Sequence, residues 1–158
     1  MEEQQPINPR RAGARTKNTI LPLANDMGRV PPQAIDVEKA VLGAMMLDKN
    51  AVTDTIDMLS ADSFYDPKHQ FIYGAIRELF GTSNPIDLLT VIQKLKDKGE
   101  LEAAGNAVYI SSLTERVASS AHVEFHARII SQKHIQREII RMCSETLRDA
   151  YYETTDVF

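Results

Sequence analysis

Cysteine occurs once in 158 residues, at Cys143, so no intramolecular disulfide can form and a reducing, cytoplasmic setting is the expectation. Long apolar runs are missing. None approaches the roughly 20 residues that a membrane-spanning helix needs, and the N-terminus lacks the apolar core of a signal peptide, so no membrane partner is expected. Alternation of apolar and polar residues never lasts beyond a few positions, which argues against strands. Negative charge predominates after the first thirty residues. Those thirty hold Arg10, Arg11, Arg15, Lys17 and Arg29 against Glu2, Glu3 and Asp26, a net of +2 in a chain of net −4, so the remainder carries −6. An acidic globular part is a poor phosphate-binding surface, because that role requires concentrated positive charge.

Motifs of chemistry are missing too. There is no Gly-x-x-x-x-Gly-Lys-[Ser/Thr] phosphate loop, no His-Glu-x-x-His pair and no Cys pair. His122 and His126 stand four apart, a spacing that suits two imidazoles on one metal, yet no Cys or acidic cluster adjoins them; two helix residues at a junction are expected instead. Asp54 and Asp57 read as solvated helix surface rather than an acid–base pair, and Ser111-Ser112 near Glu115 lacks triad context. His69, one turn from Phe71, Ile72 and Tyr73, is expected to pack beside its helix. No catalytic, cofactor-binding or metal-ligating residue is assigned.

What is present is helical periodicity. A hydrophobic content of 43% supports one ordinary core. Met1–Val30, rich in polar residues and without periodicity, reads as a disordered leader. Its Ile20-Leu21-Pro22-Leu23 cluster is either a docking motif or incidental; its basic residues offer one alternative reading, a nucleic-acid-binding helical module, and a small α-helical enzyme, which would need a carboxylate or His cluster converging in three dimensions, is the other. After Pro31-Pro32, Asp36 is the expected N-cap of a helix carrying Val37, Val41, Leu42, Met45 and Met46, with Gly43 inside it where a neighbouring helix comes close. A second helix is predicted from Asn50 to Leu59. Asp66-Pro67 starts a third, with Phe71, Ile72, Ala75, Ile76, Leu79 and Phe80 inward and Gly81 at its end. Met45, Met46 and Met58 are expected core fillers. Asp87 caps a fourth helix with Leu88, Val91, Ile92 and Leu95 on one face, and Gly99 closes it. Asn106 restarts helix ahead of Val108, Tyr109, Ile110 and Leu113.

From Ala121 to about Tyr152 there is no Pro or Gly, so one helix can run for some thirty residues, about 45 Å. Its apolar pattern breaks at Ser131-Gln132-Lys133-His134 and resumes with Ile135, Ile139, Ile140, Cys143, Leu147, Ala150 and Tyr151. One polar turn followed by renewed amphipathicity predicts a helix that leaves the globule as an arm. Cys143 is expected to be a buried small hydrophobe. The fold class is all-α: a compact head of about five helices at 31–130, then one long projecting helix at 131–158.

The stretch Asn84–Leu113, with Pro85-Ile86-Asp87-Leu88, then Gly99, Leu101 and a Gly105-Asn106 turn before Tyr109-Ile110, resembles the N-terminal domain of DnaB-type replicative DNA helicases. So do Pro31-Pro32 with Asp36–Asp48, Ser63-Phe64-Tyr65, His69 and Ile72, Ser119-Ser120-Ala121, Ala127–Ile130 and Arg137-Glu138. Coverage runs from about Pro31 to Tyr152. Asn106 for a second Gly, Ala118 for Pro, His122 for Asn and His126 for Tyr depart from that pattern. The resemblance implies a non-catalytic collar domain of a hexameric helicase. In such a collar heads pair with heads, and the arm forms a hairpin that pairs with other hairpins. Ile135, Ile139, Ile140, Cys143 and Leu147 are the expected packing residues. It further implies as partners further copies of the chain, the primase helicase-binding domain and a helicase loader, with DNA met only through the complete ring. ATP and Mg belong to a motor domain that this sequence lacks. The chain stops at Thr154-Thr155-Asp156-Val157-Phe158, before any second arm, as expected of a truncated hairpin.

Overall fold

Helix α1 (Ile35–Leu47) buries Val41, Leu42, Gly43, Ala44, Met45 and Met46 without interruption. A helix buried on every side has no polar face to turn to water, so it must be surrounded. Helices α2 (Lys49–Thr55), α3 (Pro67–Gly81), α4 (Leu88–Asp97), α5 (Asn106–Glu115) and α6 (Val123–Ala150) provide that cover, with a 3₁₀ turn at Ala61–Ser63. The computed structural model describes residues 29–115, 117 and 120–152. Among these the secondary structure is six helices and no strand, the all-α architecture expected. The leader and its basic cluster up to residue 28, Ala118 and Ser119, and the end from residue 153 lie outside the described residues.

Local signals set most helix ends. Asp66 accepts from the Lys68 N–H with Pro67 at the first helical position, and Asp87 and Thr90 cap α4 reciprocally. After α4 the Glu100 N–H reaches the Leu95 carbonyl and the Gly99 N–H reaches that of Lys96, with Gly99 at φ +69°. That pair of bonds requires a left-handed residue, which Gly supplies without cost from a Cβ. Asn106 takes φ +69° in place of the family's second Gly, as its tolerance of that region allows.

One polar cluster sits inside the core. The Glu38 carboxyl oxygens accept from the N–H groups of Tyr65 (2.7 Å) and Asp66 (3.3 Å), and one lies 2.6 Å from His69 Nδ1. His69 Nε2 lies 2.7 Å from the Tyr109 hydroxyl. One tautomer satisfies every atom: Nδ1–H donates to Glu38 and Nε2 accepts from the Tyr109 O–H. His69 is therefore the packed residue expected, and it ties α3 to both α1 and α5. Tyr73 is a second buried polar anchor, its hydroxyl donating to the carbonyls of Leu59 (2.8 Å) and Ile56 (3.2 Å), and burial pushes its pKa up to about 12.

Several expectations are corrected. Ala34, not Asp36, is the N-cap of α1, without a side-chain bond, because the Glu38 N–H is taken by the Ala34 carbonyl. Asp36 instead sits in the first turn, where a negative charge suits the helix dipole. α2 ends at Thr55; Ile56 and Leu59 are still buried, through a turn whose carbonyls Tyr73 satisfies. Phe80, expected inward, is 40% exposed, and Val108 is 83% exposed. Val91 and Leu95 are buried, with Leu88 and Ile92 packed partly against them, and Met45 and Met46 fill the core. Ser112 donates to the Tyr109 carbonyl of its own helix.

Gly43 marks the closest approach in the head. A Cβ there would overlap the Leu113 carbonyl of α5 and the Val117 side chain, whereas a Cβ at Gly74 in α3 meets nothing within 4 Å. Gly43→Ala should therefore destabilise the chain by about 1–3 kcal/mol through overpacking, while Gly74→Ala should be stabilising by up to about 1 kcal/mol. Urea unfolding of the two variants checks the opposite signs. Glu38→Ala would strand two buried N–H groups and His69, and a loss of roughly 3 kcal/mol is expected in the same measurement.

Candidate interaction surface

α6 is one continuous helix that obeys two different packing demands. In its first part Val123, Ala127 and Ile130 recur at helical spacing and are buried against α1 and α2. The entry is pinned by Asp48, whose side chain accepts from the Ser120 hydroxyl (2.7 Å) and from the Asn50 N–H (2.9 Å). The Ser120 bond first, then the Asn50 bond, lowers the Asp48 pKa. His122 is the exposed N-cap of α6, and His126, whose N–H donates to the His122 carbonyl (3.0 Å), is half-buried in its first turn. No cluster of three or more His, Cys, Asp or Glu side chains placed to hold a metal occurs among the described residues.

The helix does not leave the head at the polar turn. Ser131, Lys133 and His134 are half-buried. One turn further, the Arg137 guanidinium donates to the carbonyls of Ser63 (2.7 Å), Pro32 (2.9 Å) and Asp62 (3.3 Å), and it lies 5.6 Å from the centre of the Tyr65 ring. Arg137 thus joins the arm to the start of α1 and to the 3₁₀ turn. Sequence reasoning quoted this residue only as part of the resemblance and gave it no role; no local pattern identifies a side chain that reaches three distant carbonyls.

Beyond Arg137 the helix continues for thirteen residues, about 20 Å at the usual rise. Ile135, Ile139, Ile140 and Met142 are each more than half exposed, Cys143 is exposed and Leu147 half-buried. Cys143 is therefore not the buried hydrophobe expected: no part of the described chain covers it. Four of the five expected packing residues, Ile139, Ile140, Cys143 and Leu147, lie on this segment, and Ile135 stands two residues before Arg137. On the remaining face Arg141 bridges Glu138 and Glu145, both at 2.8 Å. Arg141 lowers the Glu138 pKa, and Glu138 first, then Glu145, raises that of Arg141. Such exposed pairs support helix weakly and do nothing for the apolar side.

A helical head bearing one long, half-uncovered helix defines the class: an all-α domain with an exposed arm. Residues 30–132 match the sequence model of the family described as "DnaB-like helicase N terminal domain". The chain belongs to that family. It is 44% identical over 153 residues to the replicative DNA helicase DnaB of Rhodothermus marinus, covering 97% of this chain and 16% of that protein. With the replicative DNA helicase DnaC of Bacillus subtilis it shares 37% identity over 135 residues, 85% of this chain and 29% of that one. The chain thus spans less than a third of the curated relatives it matches. The crystal structure of the N-terminal domain of DnaB helicase from Mycobacterium tuberculosis superposes with a TM-score of 0.75 at 33% identity, covering 78% of this chain and 89% of that one. A structure titled as a DnaB-like replicative helicase and its interactions with primase shares the fold at a TM-score of 0.67 and 20% identity, over 74% of this chain and 28% of that chain. None of the described helices is long and apolar enough to cross a membrane.

Arg137→Leu removes three charge-assisted bonds and leaves three carbonyls to water or to nothing. A loss of about 1–3 kcal/mol is expected, together with faster amide exchange from residue 131 onward. Exchange confined to the arm, with α3 and α4 unchanged, is the pattern that checks the anchor.

Proposed function

We propose that this domain is the non-catalytic collar module of a replicative DNA helicase, working by binding. The observation that carries the reading is the exposed apolar stripe of α6 from Ile135 onward, on a chain of this family. Burial of apolar surface stabilises by roughly 25 cal/mol per Å². A row of four or five large side chains held at one helical face therefore favours a partner helix. Ile135, Ile139, Ile140, Cys143 and Leu147 pack against a second arm, so that subunits pair and the hexameric ring is stabilised. The module recruits the primase helicase-binding domain, a reading supported by the fold it shares with a helicase whose structure is titled for its interactions with primase. A helicase loader acts on the same assembly. DNA is met only through the complete ring, and ATP and Mg serve the motor domain, so the collar itself hydrolyses nothing. A partner that binds one collar geometry more tightly shifts the population toward it.

Ile139→Asp places a charge in the centre of the stripe while touching nothing in the head. The expected outcome is loss of self-association in sedimentation velocity, with helicity and unfolding midpoint of the head retained. Sedimentation identical to that of the unaltered chain would sink the assignment of the arm as the pairing surface. Light scattering across concentration, with and without the primase domain, tests recruitment separately.

A further inference from the structure

The described chain begins beside the arm. Arg29, Val30 and Pro31 line a groove with Tyr65, Ile140 and Arg141. Ile140 belongs both to this groove and to the exposed stripe, and Val30 is itself 68% exposed. Arg29, Val30 and Pro31 therefore lie beside the very helix whose apolar side lacks cover among the described residues. Six residues before Arg29 stands the leader's one apolar cluster, Ile20-Leu21-Pro22-Leu23.

We propose that Ile20–Leu23 lies along the apolar stripe of α6 in the same chain, covering Ile140, Cys143 and Leu147 until a second arm displaces it. Reach permits this. Six extended residues span up to about 20 Å, whereas Ile140 and Leu147 are about 10 Å apart along a helix. A segment tethered this closely is present at an effective concentration of order millimolar, so a few apolar contacts suffice to populate the covered state. Charge also agrees. Preceding the cluster, Arg10, Arg11, Arg15 and Lys17 stand without an acidic residue among them, and residues 138–158 hold five acidic against two basic side chains. The covering itself follows from the groove, the reach and the charge; only the competition with a second arm rests on the pairing function proposed above.

Cys143, the only thiol in the chain, reports on the cover directly. The experiment compares the full chain, the Leu21→Ser/Leu23→Ser variant and a chain lacking residues 1–28, each labelled with the uncharged reagent N-ethylmaleimide across a range of concentration. The double variant leaves the leader's charge and the head untouched. At dilutions where sedimentation shows single chains, both altered proteins should label about fivefold faster or more than the full chain, since exposure scales with the uncovered fraction. Their self-association should tighten, because no cover has to be displaced. Equal rates for all three in dilute protein would overturn the inference, as would a response to deletion but not to the double variant, which assigns the effect to charge alone. The pairing reading is judged separately, by whether labelling slows as concentration rises.

Discussion

Glu38 is the one carboxylic side chain buried in the described head, and the arrangement around it depends on its being satisfied. It sits in the first half of α1, with the backbone of Tyr65 and Asp66 on one side and His69 on the other. A buried carboxyl group without partners costs far more than a hydrogen bond returns, so the segment that meets it has little freedom. The N–H groups of Tyr65 and Asp66 belong to the entry of α3, just ahead of Pro67, which offers no N–H of its own. Holding them at Glu38 sets where α3 begins, and His69 then carries the same constraint across to Tyr109 on α5. Four separate positions are thereby referred to one side chain.

Apolar packing completes what that cluster starts. α1 is buried along an unbroken run, and Gly43 lets the α5 backbone approach where any Cβ would collide. Val123, Ala127 and Ile130 of α6 are buried in the same core, and α6 packs against α1 as well. The head therefore uses only the first part of α6, and the rest of that helix is available for something else. No buried side-chain polar atom is left without a partner among the described residues.

Where local chemistry decides, the sequence was readable. Asp66-Pro67, Asp87 with Thr90, Gly99 and Asn106 each act within four residues of themselves, and each lies where periodicity and capping chemistry agree. Apart from the cap of α1, which stands two residues before Asp36, the misreadings had long-range causes. α2 stops early because the Tyr73 hydroxyl, from a helix further on, satisfies the carbonyls of Ile56 and Leu59; an apolar pattern cannot register that. The Glu38–His69–Tyr109 cluster was invisible to spacing, with 31 and then 40 residues between its members. Each of the three had nonetheless been quoted among the residues carrying the family resemblance. The arm's apolar stripe was legible, because amphipathicity without a local partner is itself a pattern. Its true point of departure was not, since it depends on Arg137 finding carbonyls at Pro32, Asp62 and Ser63.

That anchor also decides how the arm is aimed. No Pro or Gly interrupts α6, so the helix is stiff over its length and its tip follows its base. With about 20 Å of helix beyond Arg137, a tilt of about 10° there moves the end by roughly 3–4 Å, comparable to half the spacing between packed helices. The acceptors Arg137 uses are backbone carbonyls, so the direction of the arm depends on the path of the chain through the 3₁₀ turn rather than on the side chains displayed there. Ser60 and Ser63 close that turn on itself, and the next fixed point along the chain is the Tyr65 N–H on Glu38. The aim of an exposed helix is thus referred back, through one guanidinium and one tight turn, to the buried carboxyl group from which the head is organised.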